Sequence, residues 1–101
     1  MANTFKNSVG TASIAGTAIH TTGASATDVL IGINLANKTG SAVTASVTLG
    51  STYIIKDVNV PTGSSLSILD GKIVSESSEA LTAYCSADSS LDVIVSLMEQ
   101  T

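Results

Sequence analysis

The stretch Asp28 to Leu49, DVLIGINLANKTGSAVTASVTL, decides the fold class of this chain. In its first half Val29, Ile31, Ile33 and Leu35 alternate with Leu30, Gly32, Asn34 and Ala36; in its second half Val43, Ala45, Val47 and Leu49 alternate with Thr44, Ser46 and Thr48. A period of two sends successive side chains to opposite faces of a strand, so each run predicts a strand with one buried and one wetter face. Asn37-Lys38-Thr39-Gly40 separates them with turn-forming residues. The stretch therefore predicts a β-hairpin in the middle of the chain.

The same rhythm continues outward. Gly50-Ser51 is a tight connection into the β-forming run STYIIKDV, and Val60-Pro61-Thr62-Gly63 ends that run, because proline lacks an amide proton and glycine tolerates positive φ. Alternation resumes in Ser64 to Leu69, and Asp70-Gly71 predicts a second hairpin into Lys72, Ile73 and Val74. SESSEA, residues 75 to 80, is the most polar loop. Leu81, Ala83 and Cys85 then alternate with Thr82, Tyr84 and Ser86; after Ala87-Asp88-Ser89-Ser90 the last strand sets Leu91, Val93, Val95 and Leu97 against Asp92, Ile94, Ser96 and Met98. On the N-terminal side, residues 10 to 27 are small and polar around Ile14, Ala18 and Ile19, which suits a short edge strand or a meandering loop. Seven to nine short strands at intervals of about ten residues predict an all-β chain, a small antiparallel β-sandwich or a barrel-like jelly-roll variant of it. Residues 1–10 are polar apart from Phe5 and Val9 and read as a short N-terminal arm, leaving 11–101 as a single sandwich domain.

Composition narrows the function. The 101 residues include four Lys, no Arg and eight acidic residues, for a net charge of -4. Nucleic acid and anionic lipid are held through clustered bases, so neither is an expected partner. No apolar run approaches the ~18 residues that cross a bilayer. MANTFKNSVG lacks the basic-then-apolar layout of a secretion signal, which predicts synthesis in the cytoplasm. With Phe5, Tyr53 and Tyr84 as the only aromatics, the core must be built from Val, Ile, Leu and Ala. Self-association or docking on a larger assembly is the expected source of further stability.

No catalytic, cofactor-binding or metal-ligating set is expected. His20 is the only histidine and Cys85 the only cysteine, in distant segments, whereas zinc needs three or four converging ligands. Cys85 shares an apolar alternation with Ala83 and predicts a buried structural thiol. Glu76 and Glu79, with Asp70 upstream, could pair for glycoside chemistry, but acids in a Ser-rich loop are ordinarily just solvated. Asn37-Lys38-Thr39 matches a glycosylation acceptor. Two features point instead to a partner. Phe5 has no periodic pattern to bury it, and Ile94 and Met98 stand on the face of the last strand that should be polar. Each such side chain costs about 1.5–3 kcal/mol to leave in water. Phe5, Ile94 and Met98 are therefore the expected interface residues.

Five segments together carry a family resemblance: MANTFKN, DVLIGINLAN, YIIKDVNVPTGSSL, DGKIV and the closing SLDVIVSLME. The chain resembles short virion structural proteins of tailed bacteriophages, of the cyanophage and marine phage type. Members of that group usually carry Gly-Asp in the loop before the penultimate strand, and Ser78-Glu79 stands there in this chain. The resemblance implies a non-enzymatic β-sandwich present in many copies on a phage particle, made in the host cytoplasm. A homo-oligomeric capsid decoration or cement protein, contacting itself and other virion proteins, is the first expectation. A neck, tail or fibre-base component is the second, and a carbohydrate-binding module is an alternative from a different class.

Overall fold

The structure is a computed structural model that describes residues 3–69 and 71–101. Nine strands follow in order: β1 (Asn3–Thr11), β2 (Thr17–Thr21), β3 (Thr27–Asn37), β4 (Val43–Leu49), β5 (Thr52–Val60), β6 (Ser65–Ser67), β7 (Ile73–Ser75), β8 (Ala80–Cys85) and β9 (Leu91–Gln100). They form two antiparallel sheets. One runs β1-β9-β3-β6, with β7 also on β3, and the other runs β2-β8-β4-β5. The all-β sandwich expected from the strand rhythm is therefore the fold.

The connections differ from the sequence reading. β3 and β4 lie in different sheets, so Asn37 to Gly40 carries the chain across the sandwich and does not close a hairpin. The turn is held by Asn37, whose buried side-chain amide donates to the carbonyls of Ser41 at 2.8 Å and Val60 at 3.0 Å. That commitment also leaves Asn37 unfit as a glycosylation acceptor. The second expected hairpin is absent as well. β6 pairs with Asn34 to Ala36 and β7 with Asp28 to Leu30, so both lie end to end along the same edge of β3. Asp70, half of the turn signal there, lies outside the described residues. Counted as one interrupted strand, β6 and β7 turn the order into the eight-stranded jelly roll, in which nearly every link crosses between sheets. Among the described residues only Gly50-Ser51 closes a two-residue hairpin, between β4 and β5, with Gly50 at φ 61°.

Asn3 to Thr11 is likewise not an arm. It pairs residue by residue with β9 from Asn3 opposite Gln100 to Thr11 opposite Asp92, as the outer strand of the five-stranded sheet. A polar sequence suits such a position, because none of its nine residues is buried and polar or charged side chains such as Lys6 guard the unpaired backbone of an edge.

Between the sheets lies a core of Leu30, Ile33, Leu35, Val43, Ala45, Val47, Leu81, Ala83, Cys85, Leu91, Val93, Val95 and Leu97. The alternations in β4, β8 and β9 have the phase read from the sequence. That of β3 does not. A β-bulge between Leu30 and Gly32 slips the register against β9, so Leu30 points inward before it while Ile33 and Leu35 point inward after it. Ile31, the extra residue, is turned out to solvent. Loop 76–79 has no helical turn. Its Glu79 carboxylate accepts from the Glu76 amide at 2.8 Å, which gives that acid a local structural task.

Candidate functional site

Directly opposed residues in an antiparallel ladder share a face. The registers of β1, β9, β3 and β7 therefore define rows across the outside of the five-stranded sheet. One row is Phe5, Met98, Val29 and Val74, apolar over four strands. Two rows away, Val9 stands opposite Ile94, which stands opposite Asn34. Between them runs a row of Asn7, Ser96 and Gly32, and beyond them one of Thr11, Asp92 and Ala36. Phe5 is 74% exposed, Val9 67%, Val74 54%, Ile31 41% and Ile94 40%. Single apolar residues on a surface are ordinary, but five large ones sharing one sheet face form a patch.

The structure thus brings Phe5, Ile94 and Met98 onto one surface, and adds Val9, Val29, Ile31 and Val74 to them. Val9 is legible in the sequence as the second apolar residue of its segment, four positions from Phe5 and so on the same strand face. Val29 and Ile31 are assigned to the wrong face by simple alternation, because of the bulge. Val74 cannot be placed without knowing that β7 pairs with β3. A shallow depression lined by Val9, Thr11, Asn34, Ala36, Asp92 and Ile94 marks one end of the patch.

The only ionised group in these rows is Asp92, and it is neutralised in place. The Lys38 ammonium lies 2.9 Å from its carboxylate and the Thr11 hydroxyl donates to it at 3.0 Å. These contacts, Lys38 first, hold the Asp92 carboxyl below its ordinary range. The opposite outer face, on the four-stranded sheet, has a different chemistry. There Ser46 faces Tyr84 and Thr48 faces Thr82, and Lys56 lies 5.4 Å from the centre of the Tyr53 ring. Hydroxyls dominate that face. The Tyr84 ring is packed over Gly16, which sits at φ 97° and has no room for a Cβ.

A second cluster has no counterpart in the sequence reading. His20 on β2 reaches across to the five-stranded sheet, where its Nε2 lies 2.5 Å from Oδ2 of Asp28 and its Nδ1 3.0 Å from the Ser8 hydroxyl. The Thr22 hydroxyl lies 2.9 Å from the same Asp28 oxygen and 2.7 Å from the Ser75 hydroxyl. Asp28 is fully buried, and its Oδ1 has no partner among the described residues. Ser8, His20 and Asp28 have the residue types of a hydrolytic triad. A triad works on a substrate seated beside the nucleophile with donors for its oxyanion. Ser8 lies on a paired strand and its side chain points between the sheets, away from the depressions at Val9 to Ile94 and at Ile14 to Ser86. The arrangement instead ties β1, β2, β3 and β7 together at one end of the sandwich. Cys85 is buried in the core as a free thiol. Among the described residues no three His, Cys, Asp or Glu side chains converge as metal ligands.

No protein-family model matches this chain, and no curated protein does. One solved structure does, from work on Bacillus endospore appendages described as a family of disulfide-linked pili. The match has a TM-score of 0.57 at 18% identity and covers 99% of this chain and 87% of that one. What the two share is the fold.

Proposed function

We propose that this protein is a non-enzymatic structural subunit of a phage particle, a capsid decoration or cement protein held on the virion in many copies. The observation that carries the reading is the uncharged apolar outer face of the five-stranded sheet, from Phe5 to Ile94. Such a face costs free energy in water and recovers it only in an assembly, at about 1.5–3 kcal/mol per large side chain withdrawn. The resemblance of the five quoted segments to virion structural proteins supplies the particle. A jelly roll is a scaffold suited to lattice surfaces, because its faces are rigid and its loops gather at the ends.

Occupancy on purified particles tests this reading. The protein is expected to co-sediment with particles at a fixed stoichiometry, and Ile94→Lys to lower its occupancy while leaving the fold intact. A chain absent from washed particles, or one that binds a glycan array, refutes it. A second reading, a filament subunit, is favoured by the fold shared with the endospore pilus chain. Electron microscopy of the purified protein would show filaments in that case. Those pili are described as disulfide-linked, whereas the single Cys85 of this chain is buried in the core, so a filament of this protein would be held without disulfides.

A further inference from the structure

We infer that the apolar face pairs with the same face of a second copy, flipped end for end so that the Val9–Ile94 row of one protomer meets the Phe5–Met98 row of the other. This deepens the proposed assembly role by naming the occupant of its surface, and it rests on that reading only for the claim that the face is covered.

Three observations select a second copy. The first is the symmetry of the pattern. The two apolar rows lie on either side of the Asn7–Ser96–Gly32 row, so a two-fold axis midway between two facing sheets, parallel to that row and passing over Ser96, sets one against the other. Amide and hydroxyl then meet their own kind at the axis, where each can both donate and accept. A self-complementary patch is what an isologous interface requires.

The second is charge. A chain of net charge -4 repels its copies over most of its surface, but among the described residues the rows of this face across β1, β9 and β3 carry one charged residue, Asp92, already paired with Lys38. Two copies can approach here without opposed charges being desolvated.

The third is size. With strands about 4.8 Å apart and residues about 3.4 Å apart along them, the face from β1 across β9 and β3 to the β6–β7 edge, four strands wide, measures about 20 Å by 30 Å. Two such faces bury about 1,200 Å² together, the lower end of what a specific stable pair requires. A weak dimer is expected, reinforced where many copies sit on one lattice.

A charge-exchange experiment tests the arrangement. Ile94→Lys and Met98→Glu are made separately and their masses followed by analytical ultracentrifugation against the parent, with circular dichroism melts as the folding control. Each variant alone is expected to be monomeric at concentrations where the parent dimerises. An equimolar mixture is expected to recover dimer. In the mixed pair the introduced ammonium of one chain faces the introduced carboxylate of the other, while the unchanged Met98 of the first chain faces the unchanged Ile94 of the second. As a control for general loss of hydrophobicity, Ile14→Lys removes an exposed apolar residue at the other sheet and is expected to leave the dimer unchanged.

A parent that stays monomeric up to millimolar concentration overturns the second copy as occupant, and leaves the particle-occupancy result to decide the wider reading. A mixture that stays monomeric overturns the end-for-end arrangement. Loss of the dimer in Ile14→Lys overturns the choice of face.

Discussion

His20→Ala removes the principal donor from a carboxylate that has no route to water. Asp28 is fully buried, accepts from His20 and Thr22 through Oδ2, and has no partner at Oδ1 among the described residues. Without His20 the remaining donor is the Thr22 hydroxyl, which also faces Ser75. Breaking a buried pair by removing one member costs about 3–5 kcal/mol, because the other is left uncompensated. Single domains have about 5–15 kcal/mol in all, so the variant should sit near its stability limit. Asp28→Ala removes both the acceptor of these bonds and the orphaned oxygen. Its cost is then that of the lost hydrogen bonds, about 1–3 kcal/mol. The double variant should be more stable than His20→Ala alone, since deleting Asp28 relieves what deleting His20 created. Urea titration followed by circular dichroism reads all three. At a slope of about 1.5 kcal/mol per molar urea, His20→Ala should move the midpoint down by about 2–3 M. A loss below about 1 kcal/mol, or a double variant whose loss is the sum of the single losses, would show that His20 and Asp28 are not coupled in this way.

Ser78 stands at φ 66°, a left-handed conformation that glycine adopts freely. Ser78→Gly should therefore be neutral to stabilising, by up to about 1 kcal/mol in a thermal melt, once relief of strain is set against the added chain entropy of the unfolded state. Cys85, at 4% exposure, should react with a thiol reagent far more slowly in the native protein than after denaturation. The depressed Asp92 carboxyl contributes stability that is fully present above its ordinary value of 3.8 and is lost as pH falls through the lower folded value. Because the pair with Lys38 is half exposed, Asp92→Asn should cost under about 1 kcal/mol at neutral pH and flatten that acid limb of the pH–stability curve.

How much of this is legible in the sequence divides along physical lines. Local alternation in β4, β8 and β9 marks both the strands and their inward faces, because period two depends only on the strand's own geometry. Pairing does not follow from it. Asn37 to Gly40 has turn chemistry whether the chain reverses within a sheet or crosses to the other, and the choice is made by Asn37 bonding to Ser41 and to Val60, the latter a contact 23 residues away. The bulge at Ile31 inverts half of β3 with no warning but Gly32. Phe5, Ile94 and Met98 stand out as surface apolar residues since each breaks a polar pattern. Their union with Val29 and Val74 needs the register of four strands. The His20–Asp28 cluster is hidden for the same reason: its members come from separate strands in two sheets, and no short-range spacing marks them.

Small-angle X-ray scattering of the parent protein, taken on the dimer peak of a sizing column, distinguishes face-to-face pairing from other modes of association. The protomer is elongated, 45 × 21 × 20 Å, with a radius of gyration of 13.2 Å. Face-to-face packing with adjoining sheets about 10 Å apart puts the protomer centres about 20 Å apart, for a dimer radius of gyration of about 17 Å. Association end to end would separate the centres by about 45 Å and give about 26 Å. The smaller value, at twice the protomer mass, is expected. The larger value, or a mass that stays at that of one chain at every concentration, would contradict face-to-face pairing.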